Sequence, residues 1–280
     1  MKKSFFAMLS LAASLIFTGC GGDTGTAPAS GGNSGATSNA ATTIKVGATP
    51  VPHSELLAEI KSDLQAQGIT LEVVEFNDYV QPNIALNDKE LDANFFQHEP
   101  YLNDFVKEHT EMKLKNAGGI HVEPMGIYSS KIKKLDEVPF GGKVSIPNDP
   151  TNGGRALLLL DKAGLITLRE GVAEMATVQD IVSNNKDLQI QEIEAAQLPR
   201  TLDDVDISVI NTNFAMNANL NPVNDALFME DKTSPYVNII TVRDGDENRP
   251  EIQALIKALQ SEKIRNFITE KYKGAIVPAF

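Results

Sequence analysis

The residues best suited to bind a small ligand lie in one stretch, 143–164, with the sequence KVSIPNDPTNGGRALLLLDKAG. Arg155 follows a run of small and polar residues that contains Asn152. A guanidinium can hold a carboxylate through two parallel hydrogen bonds, and glycines and a helix start let a ligand approach free backbone N–H groups. The stretch therefore predicts a carboxylate site where a strand ends and a helix begins near Arg155. Taken alone, a capped helix with a surface arginine fits it equally well.

A second stretch, 94–101, has the sequence NFFQHEPY. If it forms a strand, Phe96 and His98 share one face, where they could form the wall of an apolar pocket. The same residue types also fit an ordinary core with a structural histidine. This stretch is therefore a weaker indication of a binding site than the first.

The elements that must position these side chains alternate between strands and helices. We predict strands at 44–48, 69–76, 91–97, 143–146, 188–193, 207–211 and 236–242, with an extended segment at 120–128. Helices are predicted after the N-cap Ser54 and at 80–86, 100–109, 155–162 and 250–271. This alternation predicts an α/β fold with mainly parallel sheets covered by helices, and its length favours two lobes.

Composition excludes several classes of protein. The 280 residues carry 37 acidic and 25 basic side chains, a formal charge of −12 that argues against nucleic-acid binding. The single cysteine excludes a thiolate-rich metal site. No P-loop, HExxH, GxSxG or GxGxxG motif occurs after residue 43. This weakens the case for an enzyme without excluding a secreted hydrolase whose site has no motif, and no metal or cofactor is expected.

The N-terminus has the features of a lipoprotein signal peptide at 1–20. Two lysines precede an apolar run of about 20 Å, too short to span a bilayer core of roughly 30 Å. The run ends in FTGC, so Cys20 is the predicted lipidation site, although an ordinary secretory signal with an incidental cysteine is the alternative. Residues 21–43 contain no Ile, Leu, Val, Met or Phe and are predicted to form a flexible tether to a membrane.

The folded part resembles the NlpA family of lipoproteins. The resemblance rests on the blocks FNDYVQPN, DANFFQH and PNDPTNGGR, in this order, together with IKVGATPVPHSELL and SPYVN. It implies a two-lobed periplasmic-binding-protein fold of type 2, with the ligand in the cleft between the lobes. The implied lobes are 44–126 with 241–280, and 127–240.

The resemblance also implies a function. A protein of this family would capture methionine or a close analogue and deliver it to the permease and ATPase of an ABC transporter, while its lipid holds it on the outer side of the cell membrane. Arg155 would bind the ligand carboxylate, with Asn152 nearby, and Asn213 and Asn238 would hold the backbone ends of the ligand. Its side chain would lie among Tyr79, Phe96 and His98.

Three alternatives stay open. The ligand could be another small amino acid or a methionyl dipeptide. A metal-binding importer component would use the four histidines His53, His98, His109 and His121, whose spacing matches no compact ligand motif, and His53 fits a role at a helix start better. A lipoprotein that works in adhesion or assembly, with a vestigial pocket, is the third.

Overall fold

The computed structural model describes residues 42–280. The predicted signal peptide, the predicted lipidation site Cys20 and most of the predicted tether, 21–43, lie outside this range. Within it, no helix combines the length and the apolar character needed to cross a bilayer.

Thirteen strands and eight α-helices alternate along the described chain. The strands are β1 (Thr42–Ala48), β2 (Ile69–Glu75), β3 (Ala93–His98), β4 (Leu114–Val122), β5 (Gly126–Tyr128), β6 (Lys143–Pro147), β7 (Thr167–Leu168), β8 (Ile181–Ser183), β9 (Gln189–Ile193), β10 (Ile207–Ile210), β11 (Phe228–Met229), β12 (Val237–Arg243) and β13 (Val277–Pro278). The helices are α1 (Glu55–Gln65), α2 (Gln81–Asn87), α3 (Glu99–Glu108), α4 (Pro150–Lys162), α5 (Thr212–Asn217), α6 (Pro222–Asp225), α7 (Pro250–Leu259) and α8 (Glu262–Tyr272).

The first lobe is built on a six-stranded sheet in the order β13-β4-β12-β3-β1-β2. β1 runs parallel to β2 and β3, whereas β12 is antiparallel to both β3 and β4. Helices α1, α7 and α8 bury their apolar faces against this sheet, as Leu57, Leu255 and Ile268 show. Burial of these faces drives the packing.

The second lobe is built on a five-stranded sheet in the order β11-β5-β10-β6-β9. β6 lies between two parallel neighbours, β9 and β10, and helix α4 covers it with Leu157 and Leu160. β7 and β8 form a separate antiparallel pair that the sequence analysis does not predict.

The chain passes between the sheets twice. It leaves the first sheet after Val122 and enters the second at Gly126, and it returns between Met229 and Val237. Residues 237–240, which the sequence analysis assigns to the second lobe, pair with β3 and β4 of the first sheet. The lobe boundaries therefore stay a prediction, and strand pairing favours an earlier return than residue 241.

Three predicted local features differ from the structure. The sheets are mixed rather than mainly parallel, because strands beside the crossings run antiparallel to their neighbours. The predicted helix 250–271 is two helices, since Ser261 caps α8 by accepting a hydrogen bond from the Ile264 N–H. Ser54 makes no cap hydrogen bond, and its hydroxyl is buried without a partner.

Candidate functional site

A cavity between the two sheets contains every side chain that the sequence analysis assigns to the ligand. Its lining residues are Tyr79, Phe96, Gln97, His98, Tyr101, Glu123, Asn152, Arg155, Asn211, Thr212, Asn213 and Asn238. The space between these residues that no atom fills, counted with its opening to solvent, is about 320 Å³. The structure thus brings together all seven predicted residues, whose binding roles stay predictions.

Arg155 is the only cation among these lining residues, and it is 3 % exposed. Its Nε and Nη2 donate to the two carboxylate oxygens of Glu230 at 2.7 and 2.5 Å. Nη2 also donates to the main-chain oxygen of Glu123 at 2.7 Å, and the ring of Tyr236 lies 4.2 Å from Cζ. Burial acts to lower the pKa of Arg155, but the attraction of Glu230 outweighs it and the pKa lies above its ordinary value.

These contacts determine which part of the guanidinium can receive a ligand. The Nε–H and both Nη2 protons are already used, so the edge that usually grips a carboxylate is filled by Glu230. Nη1 makes no hydrogen bond to any other residue of the described range. A ligand carboxylate can therefore approach Arg155 through Nη1, and not through the fork formed by Nε and Nη2.

The helix that carries Arg155 begins earlier than predicted. α4 starts at Pro150, and the N-cap Asp149 accepts a hydrogen bond from the Asn152 N–H at 2.9 Å. Gly153 and Gly154 are thus inside the helix and form no ligand-binding loop. They serve packing, because a Cβ on Gly153 would lie 2.9 Å from the Pro147 oxygen, and one on Gly154 would be 2.9 Å from the Ala176 nitrogen.

Amide groups form a fixed network beside Arg155. His98 Nδ1 accepts from the Tyr101 N–H at 3.2 Å, so Nε2 carries the proton and donates to Asn152 Oδ1 at 3.0 Å. Asn211 donates to the same oxygen at 2.9 Å, and the Asn152 amide nitrogen donates to Asp149 at 3.0 Å. Burial and the charge of Arg155 lower the pKa of His98 to about 3, so the ring is neutral. Asn152 therefore holds other residues in place and has no polar group left over.

Aromatic rings form the opposite wall. The ring of Tyr79 lies 5.8 Å from those of Phe96 and Tyr101 and 4.8 Å from that of Phe214. The Tyr79 hydroxyl donates to Asn213 Oδ1 at 2.6 Å, which joins the first lobe to the second. Phe214 packs against Tyr79 and offers no hydroxyl.

A buried cluster of His53, His121 and Glu123 lies behind the cavity. Glu123 Oε1 is 2.8 Å from His121 Nε2 and 3.2 Å from His53 Nε2, and His53 Nε2 is 3.0 Å from Asn238 Oδ1. Burial lowers the pKa of His53 to about 4 and that of His121 to about 3, and it raises the pKa of Glu123.

This cluster bears on the metal-binding alternative. Only two of the four histidines, His53 and His121, come together. His98 belongs to the amide network, and His109 is at the surface beside Glu111 at 3.7 Å. Five further lining residues were not predicted from the sequence: Glu123, Gln97, Tyr101, Asn211 and Thr212. Glu123 had no distinguishing signal, while Tyr101 and Gln97 flank the motif around His98.

Comparison with known proteins adds three findings. The family model for the NlpA lipoprotein matches residues 44–280. The chain is 42 % identical over 279 residues to the D-methionine-binding lipoprotein MetQ of Escherichia coli strain K12, covering 98 % of this chain and 97 % of that protein. It is 41 % identical to the methionine-binding lipoprotein MetQ of Bacillus subtilis strain 168, covering 99 % of both.

A solved structure is similar over most of the described range. The nutrient-binding protein from Burkholderia cenocepacia bound to methionine superposes with a TM-score of 0.81 at 48 % identity, covering 85 % of this chain and all of that one. The predicted two-lobed α/β fold is thereby confirmed.

Proposed function

The chain belongs to the NlpA lipoprotein family, and from this membership we propose that it is a lipid-anchored substrate-binding protein that captures methionine and delivers it to an ABC importer. It is a binding protein and not an enzyme, as its relatives are. The observation that carries the proposal is the cavity between the lobes, which combines a buried guanidinium with an aromatic wall.

The ligand has one arrangement that suits these groups. Its carboxylate lies at Nη1 of Arg155, the donor that the pairing with Glu230 leaves over. Its thioether lies against Tyr79 and Phe96, where a sulfur–aromatic contact contributes roughly 0.3–1.5 kcal/mol. Asn213 and Asn238 border the backbone end of the ligand from the second lobe and from β12.

Closure of the lobes around the ligand follows from the contacts that cross the cavity. Tyr79 of the first lobe bonds Asn213 of the second, and His98 bonds Asn152 in the same way. The proposed hinge consists of the two crossings, after Val122 and before Val237. A ligand that touches both sides adds contacts only in the closed arrangement, so it favours closure.

The anchor and the partners complete the proposal. Lipidation of Cys20 and removal of the residues before it would fix the chain on the extracytoplasmic side of a membrane, and the tether 21–43 would let the lobes reach a permease and its ATPase. Cys20→Ala releases the protein into the soluble fraction while leaving the affinity for ligand unchanged. Continued membrane retention of this variant would contradict the anchor.

A ligand screen tests the binding function. The purified protein, residues 42–280, is heated with L-methionine, D-methionine, glycyl-methionine, the other amino acids and Zn²⁺ in turn. A ligand at 100 times its Kd adds about 2.7 kcal/mol to the free energy of unfolding, so methionine raises the melting temperature clearly. If only glycyl-methionine or another amino acid stabilises the protein, that compound is the ligand in place of methionine. If only Zn²⁺ stabilises it, the metal-binding alternative is favoured.

A further inference from the structure

Tyr236 is a buried aromatic residue at the return crossing, where the chain passes from Met229 in β11 to Val237 in β12. Its ring has a neighbour in each lobe. The Cζ atom of Arg155, in α4, lies 4.2 Å from the ring centroid, and the ring of His98, in β3, lies 5.0 Å away. Tyr236 therefore stands between two site residues that belong to different lobes.

The ring of Tyr236, and not its hydroxyl, makes the contact with Arg155. A guanidinium within about 6 Å of a ring centroid is attracted by the electrons of the ring, and the distance of 4.2 Å lies well inside this limit. Within residues 42–280 the phenolic hydroxyl makes no hydrogen bond, so a phenylalanine would offer Arg155 the same surface.

The ring completes the fixation of the guanidinium. Nε and Nη2 of Arg155 donate to the carboxylate of Glu230, and Nη2 also donates to the main-chain oxygen of Glu123. Hydrogen bonds tolerate some tilt of the donor group, because they weaken steeply only at large deviations from linearity. Tyr236 blocks the side of the guanidinium that it covers and so opposes such a tilt. The direction of the remaining donor, Nη1, is fixed as a result.

The ring also borders a second cavity, which lies between α4 and the return crossing. Leu158, Leu159 and Pro235 form much of its wall, and the space that no atom fills, counted with its opening to solvent, is about 580 Å³. Arg155 lines both this cavity and the ligand cavity, whereas Tyr236 lines only the second one. A smaller side chain at position 236 would enlarge the second cavity beside the guanidinium. Water admitted there would weaken the attraction between Arg155 and a carboxylate.

We propose that Tyr236 is a positioning residue for the ligand carboxylate, because its ring holds the guanidinium of Arg155 in place and shields it from the second cavity. The inference deepens the proposed function and rests on it. It concerns the preference of the site for a charged carboxylate over an uncharged group of similar shape. Loss of the ring therefore weakens methionine and leaves methionine amide, which has no carboxylate, almost unaffected.

A purely structural role of Tyr236 makes a different prediction. The ring also packs against His98, whose Nε2 donates to Asn152 Oδ1 across the lobes. If the ring only supported this packing, its loss would loosen the closed arrangement and weaken methionine and methionine amide by the same factor. The ratio of the two affinities therefore separates the two roles.

The experiment measures both affinities by calorimetric titration at about pH 6, where the amino groups of both compounds are charged. Tyr236→Leu binds methionine roughly 2- to 12-fold more weakly, because a guanidinium that is no longer held must be ordered when the ligand binds. Tyr236→Phe keeps the ring and changes the affinity by less than about twofold. A fluorinated phenylalanine at position 236 keeps the shape of the ring but withdraws its electrons, and it lowers the preference for methionine over the amide relative to Tyr236→Phe.

Tyr272→Leu is the matched control, since it removes a ring that is also buried but belongs to the core of the first lobe, away from the cavity. It changes neither affinity.

Each outcome decides one point. The assignment is wrong if Tyr236→Leu retains its affinity for methionine, if Tyr236→Phe loses as much as Tyr236→Leu, or if both compounds are weakened equally. If Tyr236→Leu fails to fold, an unchanged preference in the fluorinated variant overturns the assignment and a reduced preference supports it. If the amide shows no binding at all, the affinity for methionine with the fluorinated and the unfluorinated ring decides in the same way. Failure of the unmodified protein to bind methionine would instead overturn the proposed function.

Discussion

Replacing Arg155 with methionine separates the ligand role of the guanidinium from its role in the fold. Methionine keeps the apolar stem, but the change removes two hydrogen bonds to Glu230 at 2.5 and 2.7 Å and one to the Glu123 main chain at 2.7 Å. It also removes the cationic group that lies 4.2 Å from the ring of Tyr236. From the sequence alone, loss of Arg155 is expected to abolish binding and leave the fold intact, whereas the structure predicts a cost in stability as well.

The size of that cost follows from the burial of the pair. Removing one partner of a buried ion pair costs about 3–5 kcal/mol, because the other charge stays behind without compensation. Glu230 keeps 13 % of its side chain exposed, so water compensates part of its charge and the lower end, about 3 kcal/mol, applies. Loss of the ligand carboxylate contact comes in addition and weakens binding by at least roughly tenfold.

Two assays measure the two effects. Urea unfolding monitored by circular dichroism gives the free energy of unfolding, and calorimetric titration with methionine gives the affinity. In Arg155→Met combined with Glu230→Gln, about 1–2 kcal/mol of stability returns because the stranded charge is gone, but binding does not return. The exposed Arg200→Met is the control and changes neither quantity.

A destabilisation below about 1 kcal/mol in Arg155→Met would refute the predicted cost, since this buried ion pair would then contribute no more than a surface one. Retained affinity for methionine would instead refute the contact between the ligand and Nη1.

Three further predictions concern neighbouring features. Tyr79→Phe removes the 2.6 Å hydrogen bond to Asn213 across the lobes, so calorimetry shows a roughly two- to twelvefold weaker affinity, about 0.5–1.5 kcal/mol. An unchanged affinity would exclude a role of this bond in closure. Burial lowers the pKa of His121 from 6.5 to about 3, so the contribution of its neutral ring to stability is complete above pH 6.5 and decreases as the pH falls from 6.5 toward 3. The melting temperature should therefore decrease less steeply with falling pH in His121→Gln than in the unmodified protein, and parallel curves would contradict this. Gly154→Ala lowers the free energy of unfolding measured in urea by about 1–3 kcal/mol, because the added Cβ would collide with the main-chain oxygen of Glu174. This is the opposite of the gain usual for Gly→Ala inside a helix, and a more stable variant would disprove that contact.

Much of the site could be predicted from the sequence because its residues stand in distinctive local patterns. Phe96 and His98 alternate along a strand that ends at a proline-containing helix start, and Arg155 follows an Asp-Pro pair. The helix start at Pro150 could also have been predicted, because an Asp at the N-cap followed by Pro is typical of the beginning of a helix. Gly153 and Gly154 argue against a helix at this point, because glycine disfavours helices. Gly154 is required for packing, since a side chain there would collide with the distant segment around Glu174, and this contact is not visible in the sequence.

What could not be predicted depends on pairs that are remote in the chain. Glu230 fills the strong edge of Arg155 from 75 residues away, and His53 reaches Asn238 from 185 residues away. None of these residues stands in a sequence pattern that would distinguish it from other polar residues. Only the fold decides which of them pair with one another and which border the cavity.

Arg155 shows why the site lies at the crossings and not elsewhere in the cleft. Its helix belongs to the second lobe, Glu123 lies in the segment that leaves the first sheet, and Glu230 lies in the segment that returns to it. One guanidinium therefore joins both connections through Nη2, at 2.7 and 2.5 Å. The guanidinium is already held in place by both connecting segments before a ligand arrives. A carboxylate that binds to Nη1 therefore costs little side-chain entropy of Arg155. The ion pair that stabilises the fold would thus also orient Nη1, the donor nitrogen that it leaves over, toward the proposed ligand.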